Sequence, residues 1–360
     1  MSAVRSMLVD AAARLLGDVC TDQVFAQAER GALVPALWQA LENSGLTEVG
    51  VPGADGIQET DLGDVLAVLR EAGRHCLPAP LAETMLARRM AAAAGLPSLA
   101  GPASIGPVLD CDSLRLEKHD QGWTLHGTLR RIPWGRHAQT LCLVADFQGQ
   151  PTCVLVRGAV PQTLHHSIAN EPRDDFHFDG LVLAEADVGV PGQGWTAADL
   201  RFAGALYRCA VMAGAMQSAL AMSVRYAMDR VQFGRPIGQF QAVQQQLADM
   251  AGQVAAASAA AHAAGLAAER GSARFDIAAA KLRVGEAAHR SAQIAHAVHG
   301  AIGFTLEYAL QRRTRRLWCW REEFGTDRQW ARWLGRVAGR VGGDGLWPFI
   351  TASEHPVDFP

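Results

Sequence analysis

The spacing of apolar residues changes period twice along this chain, and that double switch constrains its fold more than any other feature. From Ser2 to about Gly95 apolar side chains recur every three or four residues, in amphipathic stretches near 4–17, 22–43, 60–75 and 81–95. That spacing gathers them on one face of a helix. Glycine and proline concentrate in GVPGADGI at 50–57, and Thr60 or Asp61 can cap the helix that follows. Beyond Gly101 the period falls to two, and the chain reads as short strands between turns: SLRLEK, WTLHGTL, TLCLVADF, TCVLVRG and LVLAEADV. Leu114 and Leu116, or Val154 and Val156, alternate as a sheet with one buried face requires. From Trp195 to about Trp347 the helical period returns. The expectation is an α+β chain, mainly α: a helical N-terminal domain over 1–100, a β-domain over 101–192 and a C-terminal helical bundle over 193–360. Ala213, Gly214, Ala215, Ala219 and Ala221, then the stretches 255–261 and 278–280, line successive helices with small side chains. Such faces let helices approach closely, so the bundle should be antiparallel near 200–302.

With 360 residues, 49% of them hydrophobic, the chain can bury a large core. Its formal net charge of −3 supplies no global positive field for nucleic acid or an anionic membrane. Seven cysteines, at 20, 76, 111, 142, 153, 209 and 319, include no Cys-x-x-Cys pair. That usage argues against a zinc site or a disulfide framework and fits a reducing, cytoplasmic setting. The first twenty or so residues lack a continuous apolar stretch and a cleavage site, so they read as a helix of the mature protein. No run approaches the roughly 18 apolar residues that span a bilayer. The tract 311–340 mixes tryptophan with Arg312, Arg313, Arg315, Arg316, Arg321, Arg328, Arg332, Arg336 and Arg340. Guanidinium and indole suit nucleic acid, but Glu307, Glu322, Glu323 and Asp327 lie among them, and ion pairing on solvated helix faces is the simpler account.

The most informative tract is 225–245, RYAMDRVQFGRPIGQFQAVQQ. A helix running into Arg230, broken by FGRPIG and restarted at QFQAVQQ, sets a guanidinium beside exposed backbone amides, a geometry suited to phosphate. Any helical hairpin also needs glycine and proline at its corner.

The pattern Arg-x-x-Phe-Gly-x-x-Ile-Gly-x-Phe-Gln between Arg230 and Gln241 resembles the signature of the acyl-CoA dehydrogenase family. The tract HGAIGFTLEY at 299–308 resembles that family's glycine-rich FAD loop. The likeness covers nearly the whole chain, strongest over 198–347 and weakest over 101–190. It implies FAD as cofactor, an acyl-CoA substrate, an electron-transfer flavoprotein as acceptor, and a homo-oligomer or a hetero-oligomer with a homologue. On this basis Arg230 and Phe233 would contact the pyrophosphate and adenosine side of FAD, with Gln241 beside them. His299, Gly300, Ala301, Ile302 and Gly303 would form the loop that reaches the cofactor from a neighbouring subunit. The phrase REAGRHCLPAPLAETMLARRM resembles the family's segment beside the substrate cavity, although packing is the plainer role. The chain also departs from the family. GPASIGPVLD at 101–110 replaces a Thr-Glu-Pro-like loop ending in Gly-Ser-Asp, and Ala297 stands where glutamine is usual. RRIPWGRHA at 130–138 replaces a Trp-Ile-Thr or Trp-Ile-Ser tract; Trp134 there could wall the flavin or sit in the core.

Oxidising an acyl-CoA to the enoyl-CoA needs a flavin to take hydride from Cβ, a carboxylate to take the Cα proton, and hydrogen bonds to the thioester carbonyl. The family's usual glutamate precedes Gly-Thr near the C-terminus, where this chain has Phe324; the position used in other branches falls on Gly204. Glu323, among Trp318, Trp320 and Phe324, is the candidate base, its alternative being an exposed acid paired with Arg315, Arg316 or Arg328. Three functions stay open: a dehydrogenase using Glu323 or another acid, a base-less partner subunit of a heteromeric dehydrogenase, and a nucleic-acid binder. The acyl group is not fixed, and a bulky cyclic or branched one is the expectation.

Overall fold

The structure is a computed structural model that describes residues 3–52, 60–120, 122–271, 273–352 and 355. Most of the glycine-rich turn expected at 50–57 lies outside them. By contacts the chain divides into two compact units, 1–68 with 78–204, and 69–77 with 205–360.

The chain begins with α1 (Ala3–Val19), α2 (Asp22–Ala28), α3 (Pro35–Asn43), α4 (Leu62–Arg74) and α5 (Leu81–Ala93). One helix was expected over 22–43, and two are found. Gly31 sits at φ 76° with the His166 ring against it, and Pro35 then opens α3, so the chain must turn between them. Asp61 caps α4 by accepting from the Asp64 amide at 2.8 Å, and Arg5 bridges both carboxylates.

A six-stranded sheet follows, made of β1 (Ala103–Gly106), β2 (Ser113–His119), β3 (Gly122–Pro133), β4 (Thr140–Phe147), β5 (Gln150–Arg157) and β6 (Arg173–Leu183). Its order is β1-β4-β2-β3-β6, with β5 on β4, and β1 runs parallel to β4. Leu114, Leu116, Leu125, Leu129, Leu143, Val154, Val156 and Phe176 form its buried face. Two strands differ from expectation. β1 arises from GPASIGPVLD, and the last strand lies earlier than LVLAEADV, because Phe176 and Phe178 alternate with outward Asp and His side chains. Trp134 is buried behind β3, which answers to its core alternative.

The remaining helices are α6 (Ala197–Asp229), α7 (Gln241–Glu269), α8 (Arg274–His299), α9 (Leu310–Glu322), α10 (Asp327–Val341) and α11 (Gly343–Ile350). Between α6 and α7 lies a hairpin of β7 (Val231–Gln232) and β8 (Arg235–Pro236). The small residues of α6 serve close packing. A Cβ on Gly73 would fall 1.9 Å from the Val211 carbonyl oxygen, and one on Gly214 would fall 1.8 Å from that of Arg70, so α4 and α6 cross backbone to backbone. A capping box of Thr326 and Gln329 starts α10. The fold is α+β and mainly helical, as expected.

Candidate functional site

The helix α6 stops at Asp229, and the chain turns through β7 and β8 with Phe233 at φ 51° and Gly234 at φ 80°. Two central residues with positive φ make the two-residue turn whose twist suits a tight hairpin. Glycine takes that conformation freely, whereas for phenylalanine it costs about 1–2 kcal/mol. The Phe233 ring is nonetheless 93% exposed, edge-on to Phe240 at 6.1 Å. The Arg230 amide donates to Tyr226 O at 2.9 Å and its carbonyl accepts from the Ile237 amide at 2.8 Å, which pins the backbone. Its exposed guanidinium forms no ion pair among the described residues. Gln241 opens α7, whose first amides lack a side-chain cap.

At the far end of α8, Gly300 takes φ 65° with ψ −147°, a region open essentially to glycine. A single 3₁₀ turn, Gly300–Phe304, carries the chain on. Gly303 is buried, where a Cβ would press on the His299 Cβ, Leu310 Cδ2 and His296 Nδ1 at 3.1 to 3.2 Å. Ala301, Ile302, Phe304 and Leu306 face outward, the last two 65% and 69% exposed. His299 holds the turn from below: Nδ1–H donates to Ala295 O at 2.8 Å, leaving Nε2 to accept from the Tyr308 hydroxyl at 3.1 Å. Burial lowers the pKa values of both His296 and His299 and raises that of Tyr308, so both rings are neutral at pH 7. Tyr226, one turn before Arg230, stacks on His299 at 4.5 Å. The arginine corner and the glycine turn, separate in sequence, thus meet through one pair of rings.

Glu323 lies elsewhere. It follows α9 at ψ 147°, before Phe324 at φ 52° and Gly325 at φ 104°, and its side chain is 15% exposed. One of its partners, Arg208, was not among the arginines weighed from sequence. Arg208 of α6 donates from Nε to Glu323 Oε2 at 2.6 Å, with its guanidinium near the Trp320 and Phe324 rings. Glu322 points to solvent near Arg321. The buried Lys281 of α8 braces the same turn by donating from Nζ to Arg321 O at 2.6 Å and Gly325 O at 3.1 Å. Burial lowers the pKa of Lys281 to about 8, despite the pull of Asp327 and Glu323, and raises that of Cys209 to about 12.

Arg208 lies in α6 and Arg230 just past its end, about 33 Å away at the helical rise per residue. The corner of Arg230, Phe233 and Gln241 is thus tied through Tyr226 to His299, which leads into Gly300, Ala301 and Gly303, whereas Glu323 is held at Arg208, well back along α6. Sequence reasoning missed Arg208, Tyr226 and Lys281. For Lys281 a signal existed, since it is one of only two lysines among 33 basic residues and stands in an alanine-rich helix.

The corner suits a dinucleotide. It offers an unpaired guanidinium and uncapped amides for phosphate, open backbone at Gly234 and Gly300, and exposed apolar side chains for a ring system. Among the described residues no cluster of His, Cys, Asp and Glu could hold a metal ion, and no helix is long and apolar enough to cross a membrane.

Residues 192–336 match the family model described as acyl-CoA dehydrogenase, C-terminal domain. The chain is 29% identical over 321 residues to acyl-CoA dehydrogenase IpdE2 of Mycolicibacterium smegmatis, covering 86% of this chain and 91% of that one. Among solved structures, the ChsE4-ChsE5 complex of Mycobacterium tuberculosis superposes with a TM-score of 0.83 at 22% identity, covering 95% of this chain and 99% of that one. Butyryl-CoA dehydrogenase of Megasphaera elsdenii gives 0.81 at 20%, covering 94% and 98%. At those identities the structural likeness speaks for the fold alone.

Proposed function

This chain is a divergent member of the acyl-CoA dehydrogenase family, whose members are FAD-dependent flavoproteins, and on that premise we propose that it oxidises an acyl-CoA thioester to the enoyl-CoA. The observation that carries this proposal is the meeting of the Arg230 corner with the glycine turn at Tyr226 and His299. Arg230 would hold the phosphates through charge-assisted hydrogen bonds, while Phe233 and Gln241 flank the adenosine side. Gly300, Ala301 and Gly303 present backbone, and His299 keeps that backbone in place. Bound FAD supplies the hydride acceptor. Glu323 is the acid we assign to the Cα proton, and its ion pair with Arg208 must open before the carboxylate can take it. Because Glu323 is held at Arg208, some six helical turns from the Arg230 corner, a complete site needs a second chain, a copy or a homologue. An electron-transfer flavoprotein is the acceptor that fits, in the cytoplasm. Residues 1–100, 101–192 and 193–360 would be the working domains.

The Arg208 pair also favours a second role, that of a base-less subunit completing a homologue's site, since an acid already matched by arginine is poorly placed to act. The solved relative described as a complex of two chains is in keeping with this. Bleaching by an acyl-CoA separates the two roles, and purification with calorimetry tests the FAD binding that both require. A yellow protein, or a colourless one that binds added FAD with measurable heat, supports the proposal; no colour and no heat would refute it.

A further inference from the structure

We propose that the outer face of α10 is a docking surface for an acidic α-helix of a partner protein. The inner face of α10 is accounted for by Trp330, Trp333 and Val337, which are buried. Its outer face carries Arg328, Arg332, Arg336 and Arg340, one every four residues, all exposed. None of the four forms an ion pair or hydrogen bond among the described residues. Beside this row runs a second of Ala331, Gly335 and Gly339, also exposed and about 60° round the helix. Gly335 and Gly339 meet no atom within 4 Å of where a Cβ would stand, and neither has a positive φ. A glycine inside a helix costs about 1 kcal/mol relative to alanine, and nothing in the chain's own packing requires either one.

Small side chains in a row let a second helix come close, and a row of arginines selects its charge. Carboxylates at four-residue spacing would meet the guanidinium row in register and accept paired hydrogen bonds. Among the described residues no helix carries two acids four residues apart, so no described helix of a second copy supplies that partner. The net charge of −3 gives the surface no broader positive field for a nucleic acid or a lipid headgroup layer.

The test uses the whole protein and a labelled alanine-based helical peptide with four glutamates spaced four apart. Its glutamine counterpart, a single-stranded oligonucleotide and phosphatidylserine vesicles serve as comparisons. Saturable binding of the glutamate peptide alone is expected, weakened about tenfold or more by Arg332→Glu/Arg336→Glu and by Gly335→Leu/Gly339→Leu. The glycine pair separates helix docking from mere charge attraction, because leucines there leave the arginines intact and favour the helix. No peptide binding would overturn the proposal, as would peptide binding indifferent to the leucines. Preference for the oligonucleotide or the vesicles, or self-association lost with the charge reversal, would also overturn it.

Discussion

Two arginines, one within α6 and one just past its end, roughly six helical turns apart, have opposite surroundings. Arg208 is buried, ringed by Trp320 and Phe324 and matched by Glu323, whereas Arg230 stands exposed at a strained hairpin with no ionic partner among the described residues. A buried charge must be matched, because removing one partner strands the other in a poor solvent. An exposed unmatched charge costs little and remains free for a ligand. The first arginine should therefore matter to folding and the second to binding, and four measurements can break or sharpen that contrast.

The largest effect is expected from Arg208→Met, which removes a buried ion pair from Glu323. Urea unfolding should show a loss of about 3–5 kcal/mol, part of it recovered when Glu323→Leu is added. Arg230→Ala should stay within about 0.5 kcal/mol of the wild type in the same assay. Equal losses in the two variants would end the contrast.

The Lys281 clamp gives the Arg208 region a pH signature. Its folded-state pKa of about 8 lies below the ordinary 10.5, so between those values the unfolded chain holds the proton and the folded chain does not. The unfolded state then binds more protons, and stability rises with pH. Lys281 should contribute up to ~3 kcal/mol more at pH 10.5 than at pH 8, read as the stability difference between wild type and Lys281→Met at each pH. A flat difference would mean that the ammonium is solvated.

At the exposed end, Arg230→Ala should weaken FAD binding by about 1.5–3 kcal/mol by removing a charge-assisted phosphate contact. An unchanged affinity by calorimetry would show that the guanidinium faces away from the cofactor. The smallest effect is expected from Phe233→Ala. Because the ring is 93% exposed, stability without FAD should move by less than about 0.5 kcal/mol, with a modest loss of FAD affinity. A large loss of stability in the absence of FAD would make this ring a packing element.

The exposed end was legible in the sequence and the buried end was not, for a physical reason. Arg230, Phe233, Gly234 and Gln241 are neighbours in sequence, and the turn that joins them is local, so glycine, proline and spacing announce it. The pairing of Arg208 with Glu323 joins residues 115 apart, and spacing within α9 gives no hint of it. The same holds for Tyr226 on His299, which joins two tracts that the sequence showed only separately. In the sheet, period-two alternation located β2, β4 and β5, but β6 was displaced because Asp and His on its outward face mask the buried Phe176 and Phe178. The split between α2 and α3 turned on Gly31, whose tight approach to His166 is a tertiary fact.

The central claim is that this chain, with FAD, takes hydride and proton from an acyl-CoA. Its most direct test is anaerobic titration of the FAD-bound protein with straight-chain, branched and cyclic acyl-CoAs, following the visible flavin absorbance. The wild type should bleach with at least one of them. Glu323→Gln should keep its flavin and not bleach, and Glu322→Gln should behave as the wild type. A flavin-bound wild type that no acyl-CoA reduces, either alone or co-expressed with a homologous chain, would contradict the account.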